Sequence, residues 1–85
     1  MRDTVTVYGY PHDPISKRIQ RVLTESFSDG QVLVIREDTD DTALLEKSGY
    51  DRFPIIEFRN SYYGNIGQKS FKAIVNDIQC KLNIT

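Results

Sequence analysis

Val5-Thr6-Val7-Tyr8-Gly9-Tyr10-Pro11-His12-Asp13-Pro14-Ile15-Ser16-Lys17-Arg18 is the stretch that sets the architecture. Its first four residues are β-branched or aromatic and stop at a glycine, the form of a strand running into a loop. After the loop, Asp13 followed by Pro14 is a helix start: the carboxylate can accept a free backbone N–H, and proline at the first helical position gives up a donor that has no partner there. Ile15, Ile19, Val22 and Leu23 then recur at helical spacing, which predicts one apolar face. Lys17 and Arg21 lie opposite, with Arg18 at the margin.

The pattern continues to a turn cluster at Ser28-Asp29-Gly30. Beyond it, Val32-Leu33-Val34-Ile35 is an unbroken apolar run, as expected of an interior parallel strand covered on both faces. The acidic residues 36–41 read as a loop, with Thr39 or Asp40 capping a short helix through Ala43, Leu44, Leu45 and Lys47 that ends at Gly49. Pro54-Ile55-Ile56-Glu57-Phe58 and Ser61-Tyr62-Tyr63 flank the pair Arg59-Asn60, the spacing of an antiparallel hairpin. Gly64 and Gly67 predict a flexible loop. Ser70 is expected to cap a last helix with Phe71, Ile74, Val75, Ile78 and Leu82 on one stripe, which leaves Cys80 on the exposed side.

The order is therefore β-α-β-α-β-β-α: an α/β fold with a four-stranded mixed sheet and helices on both faces. Eighty-five residues without repeat or linker composition make one domain, residues 1–85. At 39% hydrophobic and 27% charged, the chain can bury a core, which argues against disorder. One cysteine can form neither an internal disulfide nor a cysteine-cluster metal site, so packing must hold the domain. That single thiol fits a reducing compartment, and no apolar run is long enough for a signal segment or a membrane span, so a soluble, cytoplasmic protein is expected. A net charge of −1 supplies no general attraction to nucleic acid or anionic lipid.

Three segments in this order resemble the glutaredoxin family, whose members have a thioredoxin-like fold. Residues 5–18 are similar to its strand, loop and Cys-Pro-x-Cys-Lys helix start. Gly49-Tyr50-Asp51-Arg52-Phe53-Pro54 is similar to the segment ending in Thr-Val-Pro, whose proline is cis and faces the active site. Tyr63-Gly64-Asn65 is placed like the Ile-Gly-Gly that follows the hairpin. The opening Val7-Tyr8-Gly9-Tyr10 is also similar to small phage glutaredoxins. Asp13-Pro14-Ile15-Ser16 stands where the motif belongs, with Asp13 and Ser16 in the positions of the two cysteines.

The resemblance thus implies the scaffold and denies its chemistry. In the family the first cysteine's thiolate, stabilised by the helix N-terminus, attacks a disulfide sulfur. A carboxylate cannot form that mixed disulfide, a serine cannot resolve one, and neither replaces a thiolate ligand of an iron–sulfur cluster. Asp13 is expected to be a helix cap rather than a catalytic carboxylate. His12 is expected to be a solvated loop residue without an orienting partner.

Glutathione binding is expected to be weakened or lost. Tyr10 occupies a position where many members carry a lysine for a glutathione carboxylate, Asp13 adds negative charge, and Asn65-Ile66-Gly67 lacks the second glycine and the acidic residue after it. Lys17 and Arg52 are the cations available to offset this. No cofactor or metal is expected.

The expected function is binding of a protein partner through the former active-site surface: Tyr10, Pro11, His12, Lys17, Arg52, Phe53, Pro54, Gly64 and Asn65. Among the aromatics near that edge, which include Tyr62 and Tyr63, Tyr8 and Phe53 are expected to fill sheet and core, leaving Tyr10 as the contact residue. The competing expectation is glutathione or thiol chemistry through Cys80 or a substrate thiol. A third, nucleic-acid binding through Lys17, Arg18 and Arg21, is ranked last because three charges more often form a solvated face.

Overall fold

A computed structural model describes residues 3–27 and 32–84. The elements are β1 (Asp3–Gly9), α1 (Pro14–Ser26), β2 (Val32–Asp38), α2 (Thr42–Ser48), β3 (Ile55–Phe58), β4 (Ser61–Tyr63) and α3 (Gln68–Ile84). The expected order β-α-β-α-β-β-α is observed, and the Ser28-Asp29-Gly30 turn lies outside the described residues.

One sheet forms in the order β2-β1-β3-β4, with β1 parallel to β2 and antiparallel to β3, and β3 antiparallel to β4. Alternation sends Val5 and Val7 of β1 to one face, where Ile56 and Phe58 stand opposite them across β3. Ile19 and Leu23 of α1 and Ile74 and Ile78 of α3 close over these residues in a single core. Phe71, Val75 and Leu82 pack at its margin, so the whole predicted stripe of α3 faces inward.

The other face carries Thr4, Thr6 and Tyr8 of β1 beside Leu33, Ile35 and Glu37 of β2. Here the expectation of an interior β2 with both faces covered is corrected. β2 is an edge strand, and Leu33 and Ile35 are 43% and 37% exposed. The two α-helices that supply buried residues both join the first face, whereas α2 contributes none.

Three boundaries also differ from the sequence reading. β2 runs on through Arg36, Glu37 and Asp38, because the alternation places Arg36 and Asp38 on one face, where they pair at 2.8 Å. The cap of α2 is Asp41, whose side chain accepts Ala43 N–H at 3.0 Å; Thr39 instead accepts Asp41 N–H at 3.1 Å, one step outside. α3 starts two residues before Ser70, whose hydroxyl accepts Gly67 N–H at 2.7 Å from within the first turn. Gly49 ends α2 in the left-handed conformation, as expected of that glycine. The hairpin turn also forms as expected, with Arg59 and Asn60 both at positive φ, the geometry of a two-residue turn that matches strand twist.

Candidate functional site

The helix start is built around Asp13. Its backbone N–H donates to Tyr10 O at 3.0 Å, closing the loop, and its side chain accepts Ile15 N–H at 3.1 Å as the α1 cap. The second carboxylate oxygen accepts the Ser16 hydroxyl at 2.8 Å. The two positions that the resemblance equates with cysteines are therefore joined by a hydrogen bond. Their environments differ: Asp13 is half-buried and Ser16 has no exposed surface.

Ser16 is buried because Gly9 makes room for it. A β-carbon built on Gly9 would stand 1.7 Å from Ser16 Oγ and 2.6 Å from Ser16 Cβ, closer than atoms can approach. The same glycine anchors the following segment, since its carbonyl accepts Thr39 N–H at 2.7 Å. This packing corrects the expected apolar face of α1. Ser16, Ile19 and Leu23 point inward, Val22 is half-buried, and Ile15 is 58% exposed. A serine displaces an isoleucine from the buried face because its small polar end is satisfied by Asp13.

Tyr10 leaves the loop outward at 47% exposure and meets the buried Phe53 edge-on, with ring centroids 5.0 Å apart at 84°. That contact brings the first loop to the segment before β3, where the Phe53–Pro54 peptide bond is cis. Arg52, Phe53 and Pro54 share a shallow cleft with Asn65, Ile66 and Gly67. Most of the expected binding positions thus come together as one rim: Tyr10 touches Phe53, and Phe53 and Pro54 line the cleft with Arg52 and Asn65. Pro11 and His12 are exposed beside Tyr10, and His12 takes a left-handed backbone conformation at φ 63°.

Gly64 does not act as a plain flexible link. The Tyr50 ring lies where its β-carbon would be, at 2.4 Å, and the Tyr50 hydroxyl donates to Tyr62 O at 3.4 Å. Lys17 lies apart from the cleft, in a hollow along the outer side of α1 with Pro14, Arg18 and Arg21. Arg52 is highly exposed and stands 3.7 Å from Asp51. Cys80 is exposed on α3, and among the described residues no cluster of His, Cys, Asp or Glu is placed to hold a metal ion.

Tyr62 and Tyr63 face away from each other, as neighbours on a strand must. Tyr8 and Tyr62 share the second sheet face, on which Ile55 is fully buried, and burial and then the Glu57 and Glu37 carboxylates push the Tyr8 phenol above its ordinary value. Tyr63 turns to α3 and donates its hydroxyl to Asp77, while Lys81 Nζ donates to Tyr63 Oη at 2.7 Å. Burial raises the Tyr63 phenol, and that hydrogen bond to Lys81 raises the ammonium. Tyr63 is thus part of the joint between β4 and α3 rather than of the rim. The sequence reading missed this joint, along with the Arg59–Asp3 pair, which closes at 2.8 Å.

Neither a family model nor a curated protein matches this chain.

Proposed function

We infer that the chain is a glutaredoxin-like scaffold that has given up thiol chemistry and binds a protein partner through the rim of Tyr10, Pro11, His12, Phe53, Pro54, Gly64 and Asn65. The observation that carries this reading is the Asp13–Ser16 hydrogen bond, packed on Gly9. It uses both former cysteine positions to hold the helix start and leaves neither as a nucleophile. Beside it, an exposed tyrosine braced on a buried phenylalanine is the kind of side chain that anchors a protein contact. The element order supports the scaffold, and the lone cysteine supports a cytoplasmic setting. The reading assigns no cofactor and a weak or absent affinity for glutathione.

The test compares proteins retained from the native source by wild type and by a variant carrying Tyr10→Ala, His12→Ala and Asn65→Ala. Loss of a specific partner from the variant, with unchanged circular dichroism, is the expected result. Undiminished retention sinks the reading. A disulfide-reduction assay addresses the chemistry: wild type is expected to be inactive, and Asp13→Cys with Ser16→Cys is expected to gain glutathione-dependent activity. Wild-type activity abolished by Cys80→Ser would replace this reading with a thiol mechanism.

A further inference from the structure

The outer side of α1 carries charge that the fold does not use. Lys17, Arg18 and Arg21 line one hollow, which begins at Pro14, directly after the rim loop, and ends at Glu25. Helix geometry sets the three cations within an arc of about 100° and about 6 Å of axis. Among the described residues none of them forms an ion pair, whereas Arg36, Arg52 and Arg59 each meet a carboxylate. The reasons are local. Asp13, four residues before Lys17, commits its two carboxylate oxygens to Ile15 N–H and the Ser16 hydroxyl. Glu25 follows Arg21 by four residues, the less favourable order, since a helix prefers the acid before the base. The placement also works against the helix. Cations suit a last turn, where α2 has Lys47 and α3 has Lys81, but α1 has none there and carries these three between its fourth and eighth residues. Lys17 and Arg21 stand four apart and Arg18 and Arg21 three apart, spacings at which like charges repel.

We propose that this stripe takes a short acidic segment of the protein partner that the rim binds. Charge complementarity selects the occupant, and the row Asp13, Lys17, Arg21 and Glu25 along one side of the helix limits its length. Two cations in the middle, with Arg18 beside them, attract carboxylates, and a carboxylate at each end repels any anion that runs on. A long polyanion would have to cross both ends, whereas a segment with about three acids would not. Nucleic-acid sites of ordinary strength engage about six to ten phosphates, and three cations on a chain of net charge −1 fall short of that. An extended peptide repeats its side chains on one side about every 6.6 Å, close to the axial separation of Lys17 and Arg21, so acids at alternate positions meet successive cations. Pro14 lies where the hollow meets the rim loop, which lets one partner occupy both surfaces.

A fluorescein-labelled peptide with three glutamates at alternate positions between serines, titrated with the intact chain and read by anisotropy, tests the assignment. Saturable binding that weakens with added salt is expected. Lys17→Gln with Arg21→Gln is expected to weaken it about fivefold, the worth of two exposed ion pairs. Lys17→Glu with Arg21→Glu is expected to weaken it by more than about tenfold. The neutral pair of substitutions is also expected to keep or raise the thermal midpoint, because it relieves the like-charge neighbours. A fall in that midpoint ties the cations to the fold and overturns the proposal. So does a peptide that fails to bind, or that binds both variants as it binds wild type. A single-stranded oligonucleotide that binds more tightly than the peptide assigns the stripe to nucleic acid and equally overturns it. The inference rests on the rim's reading as a protein contact, and the two fail separately. If a partner is lost from the Tyr10, His12 and Asn65 variant but fully retained by Lys17→Glu with Arg21→Glu, the rim stands and the acidic segment is overturned. If the peptide binds through the stripe while retention of partners ignores the rim, the rim reading alone falls.

Discussion

Gly9, Asp13 and Ser16 form one unit in which each residue's identity depends on the others. Any side chain at position 9 collides with Ser16, so Gly9→Ala is expected to destabilise by about 1–3 kcal/mol or more, the usual cost of overpacking. Urea unfolding reads it directly. Asp13→Ala removes the α1 cap, worth about 1 kcal/mol, and also leaves the buried Ser16 hydroxyl without its acceptor, at about 1–3 kcal/mol. Ser16→Ala removes the orphan instead, so adding it to Asp13→Ala is expected to recover part of the loss. A double-mutant cycle in which the two costs simply add would show that the hydrogen bond carries no coupling. The cap was legible in the sequence, because Asp-Pro before an apolar period has few other meanings. The inward turn of Ser16 was not. Positions 15, 19 and 22 fit a helical face as well as 16, 19 and 23 do, and only the empty side of Gly9 decides between them.

The strands and helices themselves follow from local signals: β-branched runs, two Asp caps, a left-handed glycine and a two-residue hairpin turn. What local signals lack is the neighbour. Val32-Leu33-Val34-Ile35 reads the same whether the strand lies inside a sheet or at its edge, and the difference rests on which strand β1 pairs with next. The mixed Arg36-Glu37-Asp38 segment resembles a loop until the Arg36–Asp38 pair is seen on one face. Among the helices whose burial is described, α2 is the one with no buried residue along its seven positions. Its stability leans on its ends, so Asp41→Ala, which leaves Ala43 N–H unbonded, is expected to loosen it by about 1 kcal/mol. Hydrogen exchange is expected to speed up over 42–48 while the core strands keep their protection. Uniform acceleration across the molecule would instead tie α2 to the global unfolding step. Gly64→Ala is expected to act on the same region, by driving a methyl group into the Tyr50 ring just after α2.

Across the molecule, two polar joints fasten the hairpin to distant parts of the chain, and both join residues far apart in sequence, which no periodicity could announce. Arg59 donates to both oxygens of Asp3 at the start of β1 and to Lys81 O in α3, with its guanidinium 5.0 Å from the centre of the Phe58 ring. Tyr63, Asp77 and Lys81 form the second joint, between β4 and α3. Their titration gives the fold an acid limit and an alkaline one. The hydrogen bond from Arg59 holds the Asp3 carboxyl below its ordinary value of 3.8, and that from Tyr63 lowers Asp77 likewise. A depressed folded value means that the unfolded chain binds the proton more readily, so this stability is present above pH 3.8 and is lost as pH falls through the lower folded values. In the other direction, Tyr63 is raised above 10.0 and Lys81 above 10.5, so the folded chain holds those protons longer. Their contribution is complete below pH 10 and fades as pH rises through the folded values. The charged side chains of both joints are a third to a half exposed, so each effect is expected to be modest and to shrink with added salt. Thermal unfolding across pH is expected to show a plateau between these limits. Arg59→Gln should flatten the acid limb, since Asp3 then loses the main cause of its lowered folded value, and Tyr63→Phe should flatten the alkaline limb while lowering the plateau. If Arg59→Gln lowers the plateau but leaves the acid slope untouched, the acid sensitivity belongs to other carboxylates and the Asp3 joint is mechanical alone.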